Sequence, residues 1–358
     1  MNAMFLPILH DKSTPKLFLC NHISGNGVLI PLYKTCQMNI KKSFSSAICT
    51  CLALTICLIQ CKKDKQNVDC VIPAIVPFQP YSFPIWHPNG QILGFNYTPL
   101  AGVGSNGVAP CIWYSYFAKS DSTGFYIMNK DGTGLKRITN YNLYDPAWSP
   151  DGNWLAFMNN AQLYKMYFTA TGFDTANIIQ LTNNGANFFP SWTANSDTIY
   201  YDSNIGTNGQ GYYVWKMASD STGKIGFPNT GRQPFVGSNN LIYYSRGVVG
   251  QPEIFSMNKD GSNQTQITFN GQNGNRDTPK FWQGNLFYND NGNLRVKKLN
   301  NQDLKLIFPS VTYDVSKNGE IVYSKMEYDI MKYNKQIGTL WIMNYDGSNN
   351  RQLTFNNF

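Results

Sequence analysis

The sequence predicts an all-β protein, a six-bladed β-propeller of four-stranded antiparallel blades over residues 81–358, preceded by a signal segment. The motif Met-Asn-x-Asp-Gly begins at Met128, Met257 and Met343, so its spacings of 129 and 86 residues are three and two times 43. A period near 43 is typical of propeller blades. Aromatic residues make up 15% of the chain, with 30 Gly and 18 Pro, as expected for short strands and tight turns.

Each copy of the repeat begins with a first strand that carries Pro-x-aromatic or a degenerate form of it. The six copies of this element start at Pro84, Pro146, Pro190, Pro234, Pro279 and Asp314. A turn follows, and it is clearest as Ser149-Pro150-Asp151-Gly152. Pro presets φ for such a turn and Gly accepts a positive φ, so the motif predicts a sharp reversal into the second strand.

Three more strands complete each copy. The second strand is apolar on both faces, as expected where sheets stack face to face. The third strand ends in Met, at Met128, Met166, Met217, Met257 and Met343, with Lys297 in the fifth copy. The fourth ends in an apolar residue plus Thr, at Thr139, Thr182, Thr268 and Thr354, and copies three and five are degenerate there. Such repeats cannot bury their faces alone, so six copies predict a closed ring.

The combined pattern resembles the repeat of the TolB-type propeller family. The match is clearest over 144–182, from Asp145-Pro146-Ala147-Trp148-Ser149-Pro150-Asp151-Gly152 to Leu181-Thr182, and it extends over about 81–358. The resemblance implies a propeller of the bacterial envelope that binds other proteins. TolB also carries an α/β domain before its propeller, for which the stretch between Cys61 and Tyr81 has no room. We therefore expect a TolB-like relative with partners of its own.

Residues 38–61 predict a lipoprotein signal peptide. Lys41 and Lys42 precede an apolar stretch that runs from 44 to 59, and Cys61 follows as the expected lipidation site. Gln60 stands where a small residue is usual, so a cleaved signal or an uncleaved anchor are the alternatives. We expect residues 1–37 to be an extension from a misassigned start or a disordered leader, and 62–80 to be a tether. Whether that tether adds a strand that closes the ring is left open.

Cysteine usage is consistent with export. Only Cys70 and Cys111 follow Cys61, and an oxidising envelope permits a disulfide between them, with two unpaired thiols as the alternative.

Charge and motif content argue against several classes of function. The net charge is +8, but residues 1–61 hold five Lys and one Asp, which leaves +4 for the rest. No stripe of Lys or Arg indicates nucleic-acid binding. The only histidine after Cys61 is His87, so a Ser-His-Asp triad would depend on it and a site built on several histidines is excluded. We predict no enzyme activity, no cofactor and no metal.

Two groups of residues are candidate partner contacts. The residue before each first-strand proline is expected at the channel mouth, which gives the ring Phe83, Asp145, Phe189, Gln233, Thr278 and Tyr313. An insertion at 96–124 in the first blade supplies the second group, Trp113, Tyr114, Tyr116 and Phe117. Long loops on a rigid scaffold often carry binding, although packing at the lip or over a blade edge is the alternative.

These observations favour a lipid-tethered, monomeric outer-membrane protein that faces the periplasm or the cell surface. It would bind an envelope protein, a peptide or a glycan, and would touch the membrane only through its N-terminal lipid or anchor. The alternatives are an envelope enzyme that acts on glycans with Asp145 and Asp277 beside the channel, and a purely structural surface protein.

Overall fold

The computed structural model contains six blades that follow one another along the chain, each with four strands except the second, which has one short strand more. It describes residues 80–106, 113–169, 172–208, 211–247, 251–269, 276–298, 304–309, 312–325 and 338–354. Cys61, Cys70, Cys111 and the predicted segments 1–37, 38–61 and 62–79 lie outside these residues, so lipidation, the disulfide and a closing strand stay predictions. None of the described residues belongs to a helix that could cross a membrane.

Each blade runs from a first strand at the channel to a short fourth strand at the periphery. Blade 1 holds β1 (Tyr81–Trp86), β2 (Ile92–Tyr97), β5 (Gly124–Asn129) and β6 (Lys136–Arg137), with the hairpin β3 (Leu100–Asn106) and β4 (Trp113–Ala118) inserted. Blade 2 holds β7 (Tyr144–Trp148), β8 (Trp154–Asn159) and β9 (Gln162–Thr169), and both β10 (Gly172–Phe173) and β11 (Ile179–Gln180) pair with β9. Blade 3 holds β12 (Asn187–Trp192), β13 (Thr198–Ser203), β14 (Tyr213–Ala218) and β15 (Ile225–Phe227).

The other three blades repeat this order. Blade 4 holds β16 (Arg232–Val236), β17 (Ile242–Arg246), β18 (Glu253–Met257) and β19 (Thr265–Gln266). Blade 5 holds β20 (Arg276–Trp282), β21 (Asn285–Asp290), β22 (Asn293–Lys298) and β23 (Leu304–Pro309). Blade 6 holds β24 (Tyr313–Val315), β25 (Glu320–Lys325), β26 (Thr339–Asn344) and β27 (Arg351–Gln352). The all-β, six-bladed prediction is confirmed.

The hydrophobic core is divided into six clusters, one between each pair of neighbouring blades. The repeated Met of the third strand is buried in all five copies that have it, and the apolar second strands are buried on both faces. The cluster between blades 6 and 1 joins Trp86, Leu93 and Phe95 to Val322 and Leu340. The ring therefore closes by packing of the last blade on the first, with no strand shared between blades among the described residues.

The repeated threonine fixes the fourth strand to the third. Its hydroxyl oxygen accepts the backbone N–H at the start of the third strand, for example Leu163 N to Thr182 Oγ1 at 2.8 Å. The same bond is made in blades 1, 4 and 6. Blade 3 also makes it, because Thr230 accepts the N–H of Val214 at 2.8 Å. Blade 3 is therefore regular at this point, although its sequence looks degenerate.

The insertion of blade 1 forms a separate two-stranded sheet. β3 pairs with β4 in an antiparallel register that sets Asn106 opposite Trp113. The predicted contact residues Trp113, Tyr114, Tyr116 and Phe117 all lie on β4. The insertion predicted as a loop therefore contains two paired strands of its own.

Candidate functional site

The six first strands enclose a central cavity of 340 Å³. It extends from Phe83 on β1 to Pro88 in the turn that follows, and over parts of the corresponding stretches of the other blades. We call the end at which these strands begin the amino-terminal mouth, and the opposite end the carboxyl-terminal mouth. Every residue of the predicted channel ring lines this cavity, namely Phe83, Asp145, Phe189, Gln233, Thr278 and Tyr313.

Five of these six residues share an unusual backbone conformation. Each precedes a proline and has a positive φ: 50° at Phe83, 48° at Asp145, 52° at Phe189, 57° at Gln233 and 49° at Thr278. Each also lies in a β-bulge, where the pairing with the second strand shifts. Side chains rarely adopt this region without support from their surroundings. The bulge re-aims these residues at the mouth.

The sixth blade differs, and the predicted position of Tyr313 needs a correction. Val315 pairs with Ile321 as Trp86 pairs with Leu93, but β24 pairs with β25 without the register shift that precedes Trp86 in β1. Tyr313 therefore occupies the place of Pro84, and Thr312 occupies the place of Phe83. The sequence repeat had aligned Tyr313 with Phe83, one residue too late, because this copy has no proline to mark the position. Tyr313 is nevertheless at the channel, where its hydroxyl donates to the carbonyl of Thr278 at 2.6 Å.

Side chains of the mouth also hold neighbouring blades together. Phe189 donates its N–H to Asp145 Oδ2 at 3.4 Å, and Thr278 donates to Gln233 Oε1 at 3.0 Å. Phe83 donates to Thr312 Oγ1 at 3.2 Å, which links blade 1 to blade 6. These bonds connect one first strand to the next around the channel. Asp145 and Gln233 thus have a structural role, in addition to any role in binding.

An arginine and three aromatic rings form a cluster at the amino-terminal mouth, which we call the Arg232 cluster. The Arg232 guanidinium lies 4.2 Å from the ring centroid of Tyr212, and 5.9 Å and 6.0 Å from those of Phe188 and Phe189. Arg232 Nε lies 3.3 Å from Asp202 Oδ2. Its side chain is 47% exposed, whereas that of Asp202 is fully buried. Phe189 was predicted from the sequence as a channel residue, but the cluster was not, since its members lie on two different strands and a loop, with Asp202 on a third strand.

Three carboxyl groups near this mouth have a raised pKa because burial disfavours their charged form. Burial raises the pKa of Asp202 to about 7, and the charge of Arg232 only partly offsets this. Burial likewise raises the pKa of Asp145 to about 6, against the N–H of Phe189 and the charges of Arg232 and Lys280. The pKa of Asp277 is raised for the same reason.

A lysine also lies inside the channel. Lys280 Nζ is 3.2 Å from Asp314 Oδ1 and 4.9 Å from the ring centroid of Phe235. The other oxygen of Asp314 accepts the N–H of Trp86 at 2.8 Å, another bond between blades 6 and 1. The cavity is thus lined by apolar rings with one ion pair across neighbouring first strands. The described residues contain no group of three or more His, Cys, Asp or Glu that could hold a metal ion.

The architecture is similar to that of solved propeller structures, although comparisons of the sequence find no relative. No protein-family model matches the sequence, and no curated protein matches it. Among solved structures, TolB from Acinetobacter baumannii is 16% identical with a TM-score of 0.50, and the match covers 64% of this chain and 58% of that one. A putative TolB from Agrobacterium tumefaciens is 13% identical with a TM-score of 0.51, and the match covers 62% and 84%.

A third structure, an oligogalacturonate lyase from Vibrio parahaemolyticus, is 10% identical with a TM-score of 0.48, and the match covers 78% of each chain. The chain spans less than two thirds of the length of the A. baumannii TolB. Likenesses of this degree show the fold and nothing of the activity. The chain has the six-bladed propeller fold of the TolB-like proteins.

Proposed function

We propose that the chain is a binding module of the bacterial envelope, and that it captures a protein, peptide or glycan partner at the amino-terminal mouth. The observation that carries this proposal is the Arg232 cluster, where an exposed guanidinium and aromatic rings lie beside Phe189, which lines the cavity. Tyr144, 46% exposed, adds a further ring, 6.0 Å from Phe83. Aromatic residues and Arg are enriched where binding energy concentrates at interfaces.

Substitution of one mouth residue tests this proposal. Cross-linking in native envelope would identify the partner, and the purified pair would then be titrated by calorimetry. Tyr212→Ala removes the ring that supports Arg232, so we expect at least a tenfold loss of affinity, about 1.4 kcal/mol. The matched control is Tyr345→Ala, which removes an exposed aromatic residue near the carboxyl-terminal mouth, where it contacts Trp282 at 5.0 Å. Equal affinities of both variants and the native chain would overturn the proposal.

The proposed location in the envelope has its own test. A lipid on Cys61, followed by the polar run Lys62-Lys63-Asp64-Lys65, would tether the propeller to the outer membrane. Mass spectrometry of the native N-terminus should find an acylated Cys61 as the first residue. An unmodified chain that starts upstream of Cys61 would contradict the tether and leave the mouth proposal standing.

A second candidate function is an enzyme that acts on glycans. The raised pKa of Asp145, about 6, favours it, because a carboxyl group that keeps its proton closer to neutrality can act as a general acid. Burial also raises the pKa of Asp277. Turnover of a glycan by the purified chain, lost in Asp145→Asn and retained in Tyr345→Ala, would support this function. Absence of turnover across a broad glycan panel would remove it.

A further inference from the structure

The Arg232 side chain presents its free end to solvent in a fixed orientation. Arg232 Nε lies 3.3 Å from Asp202 Oδ2, while neither Nη1 nor Nη2 makes a hydrogen bond to the described part of the chain. Stacking on Tyr212 at 4.2 Å and contact with Phe188 restrict the rotation of the guanidinium. A guanidinium held in this way loses little conformational entropy when its two terminal nitrogens bind a planar anion.

The surroundings of Arg232 favour a singly charged anion. Asp202 and Asp145 both interact electrostatically with Arg232, and Asp277 occupies the equivalent position on the next blade. In their charged form, Asp202 and Asp145 would repel a doubly charged phosphate more strongly than a carboxylate. A carboxylate also matches the spacing of the two terminal nitrogens in a bidentate pair.

The two rings beside Arg232, Tyr212 and Phe188, are partly covered by the guanidinium and by each other. The Tyr212 face is occupied by the guanidinium, and the rings of Phe188 and Tyr212 meet at 73° with centroids 5.6 Å apart. A sugar ring needs an open aromatic face on which to stack, whereas apolar peptide side chains pack against ring edges as well. The cluster therefore suits an acidic peptide better than an acidic glycan.

We propose that Arg232 binds a carboxylate of a peptide partner at the amino-terminal mouth, with both terminal nitrogens donating to its two oxygens. This inference rests on the proposed function and specifies the chemistry of the partner. Binding would also be linked to protonation of Asp202, the buried group that faces Arg232. A carboxylate ligand competes with the Asp202 carboxylate for the same guanidinium, so binding strengthens when Asp202 holds a proton, as its pKa of about 7 allows.

Ligand-observed NMR with 3-phenylpropionate, and with its neutral amide as the paired probe, tests the carboxylate preference. We expect the acid to bind at least tenfold more tightly than the amide, and Arg232→Gln to remove this preference. The matched control is Arg246→Gln, since Arg246 also lies over an aromatic ring, that of Phe255 at 5.2 Å, but on the adjoining second strand. Affinity for the acid should stay within twofold of the native value in that control.

Two further measurements sharpen the test. Native affinity for the acid should rise by up to about tenfold from pH 8 to pH 6, and Asp202→Asn should remove most of this dependence, leaving the smaller part that comes from Asp145. A peptide rich in Glu should bind more tightly than its Gln counterpart, while an oligosaccharide of uronic acids that bound in its place would overturn the assignment to a peptide. Equal binding of acid and amide, or an unchanged preference in Arg232→Gln, would overturn the carboxylate site. The proposed function would still stand if Tyr212→Ala lowered partner affinity.

Discussion

Asp202 should make the protein less stable as the pH rises, and the size of the effect follows from its burial. The folded-state pKa of Asp202 is about 7, against an ordinary value of 3.8. A carboxyl group with a raised pKa binds its proton more tightly in the folded chain than in the unfolded chain. The folded state therefore loses stability as the pH rises from 3.8 through 7. The full loss is about 4 kcal/mol, of which about 2.5 kcal/mol falls between pH 5 and pH 8.

The variant Asp202→Asn isolates this effect. The amide keeps an oxygen that can accept the N–H of Gln233, now bonded to Asp202 Oδ2 at 3.1 Å, and it has no charge to bury. The free energy of unfolding of the native chain, relative to the variant, should fall by about 2.5 kcal/mol from pH 5 to pH 8. Urea titration at both pH values measures it. Asp145 titrates in both proteins, so its contribution largely cancels in the comparison.

A control on the same blade separates this effect from a general loss of acid groups. Asp220 is fully exposed, and its bonds to Thr222 lower its pKa, so it is charged in both the folded and the unfolded chain at pH 5 and at pH 8. The difference between Asp220→Asn and the native chain should not change between these pH values. The burial argument would be refuted if the difference in the free energy of unfolding between Asp202→Asn and the native chain were the same at pH 5 and at pH 8. It would also be refuted if the native chain gained stability relative to the variant as the pH rises.

Two further predictions concern the repeat itself. Thr182→Val leaves the buried N–H of Leu163 without an acceptor and should lower the free energy of unfolding by about 1–3 kcal/mol. Thr182→Ser keeps the hydroxyl and should lower it by about 0.8 kcal/mol or less. If urea titration finds the Ser variant less stable than the Val variant, the role of this bond is contradicted. In thermal unfolding, Gly152→Ala should be more destabilising than Gly206→Ala by about 1 kcal/mol or more. Both glycines have a φ near 76°, but only a Cβ at position 152 would contact the His87 ring, at 2.8 Å. Equal melting temperatures of the two variants would show that the His87 side chain can move away from the added Cβ without a loss of stability.

The features predicted from the sequence are those that recur in register. Met128, Met166 and Met217 appear at the same point of successive copies, so the third strand of each of these blades was identified from the repeat alone. The first-strand prolines likewise marked the residues that line the channel in five of the six blades. In each case a local motif determines the position, and the ring then brings equivalent positions to one axis.

The features that were missed depend on substitutions within the repeat. Thr230 makes the third-to-fourth strand bond of blade 3, but it stands outside any Leu-Thr motif and is three residues past Phe227. Ser221 takes a φ of 75° in the turn where other blades use Gly. The register of blade 6 was misjudged because the proline that fixes the bulge elsewhere is absent. Such replacements preserve the geometry and remove the sequence signal.

The Arg232 cluster was missed for a different reason. Asp202, Tyr212 and Arg232 are separated by ten and twenty residues, and no motif joins them. Their contact arises because β13, the segment before β14 and β16 all reach the amino-terminal mouth. Sequence reasoning could have found the cluster only by placing every residue beside the predicted ring, including those that precede the third strands.

Partners are expected to bind at the amino-terminal mouth of the propeller. Hydrogen–deuterium exchange of the chain, alone and with its captured partner, measures this without any substitution. We predict slower exchange at 186–192 and 230–234, which carry the mouth, and unchanged exchange at 282–285 and 344–348 near the opposite end. Protection confined to those last two segments would contradict the account.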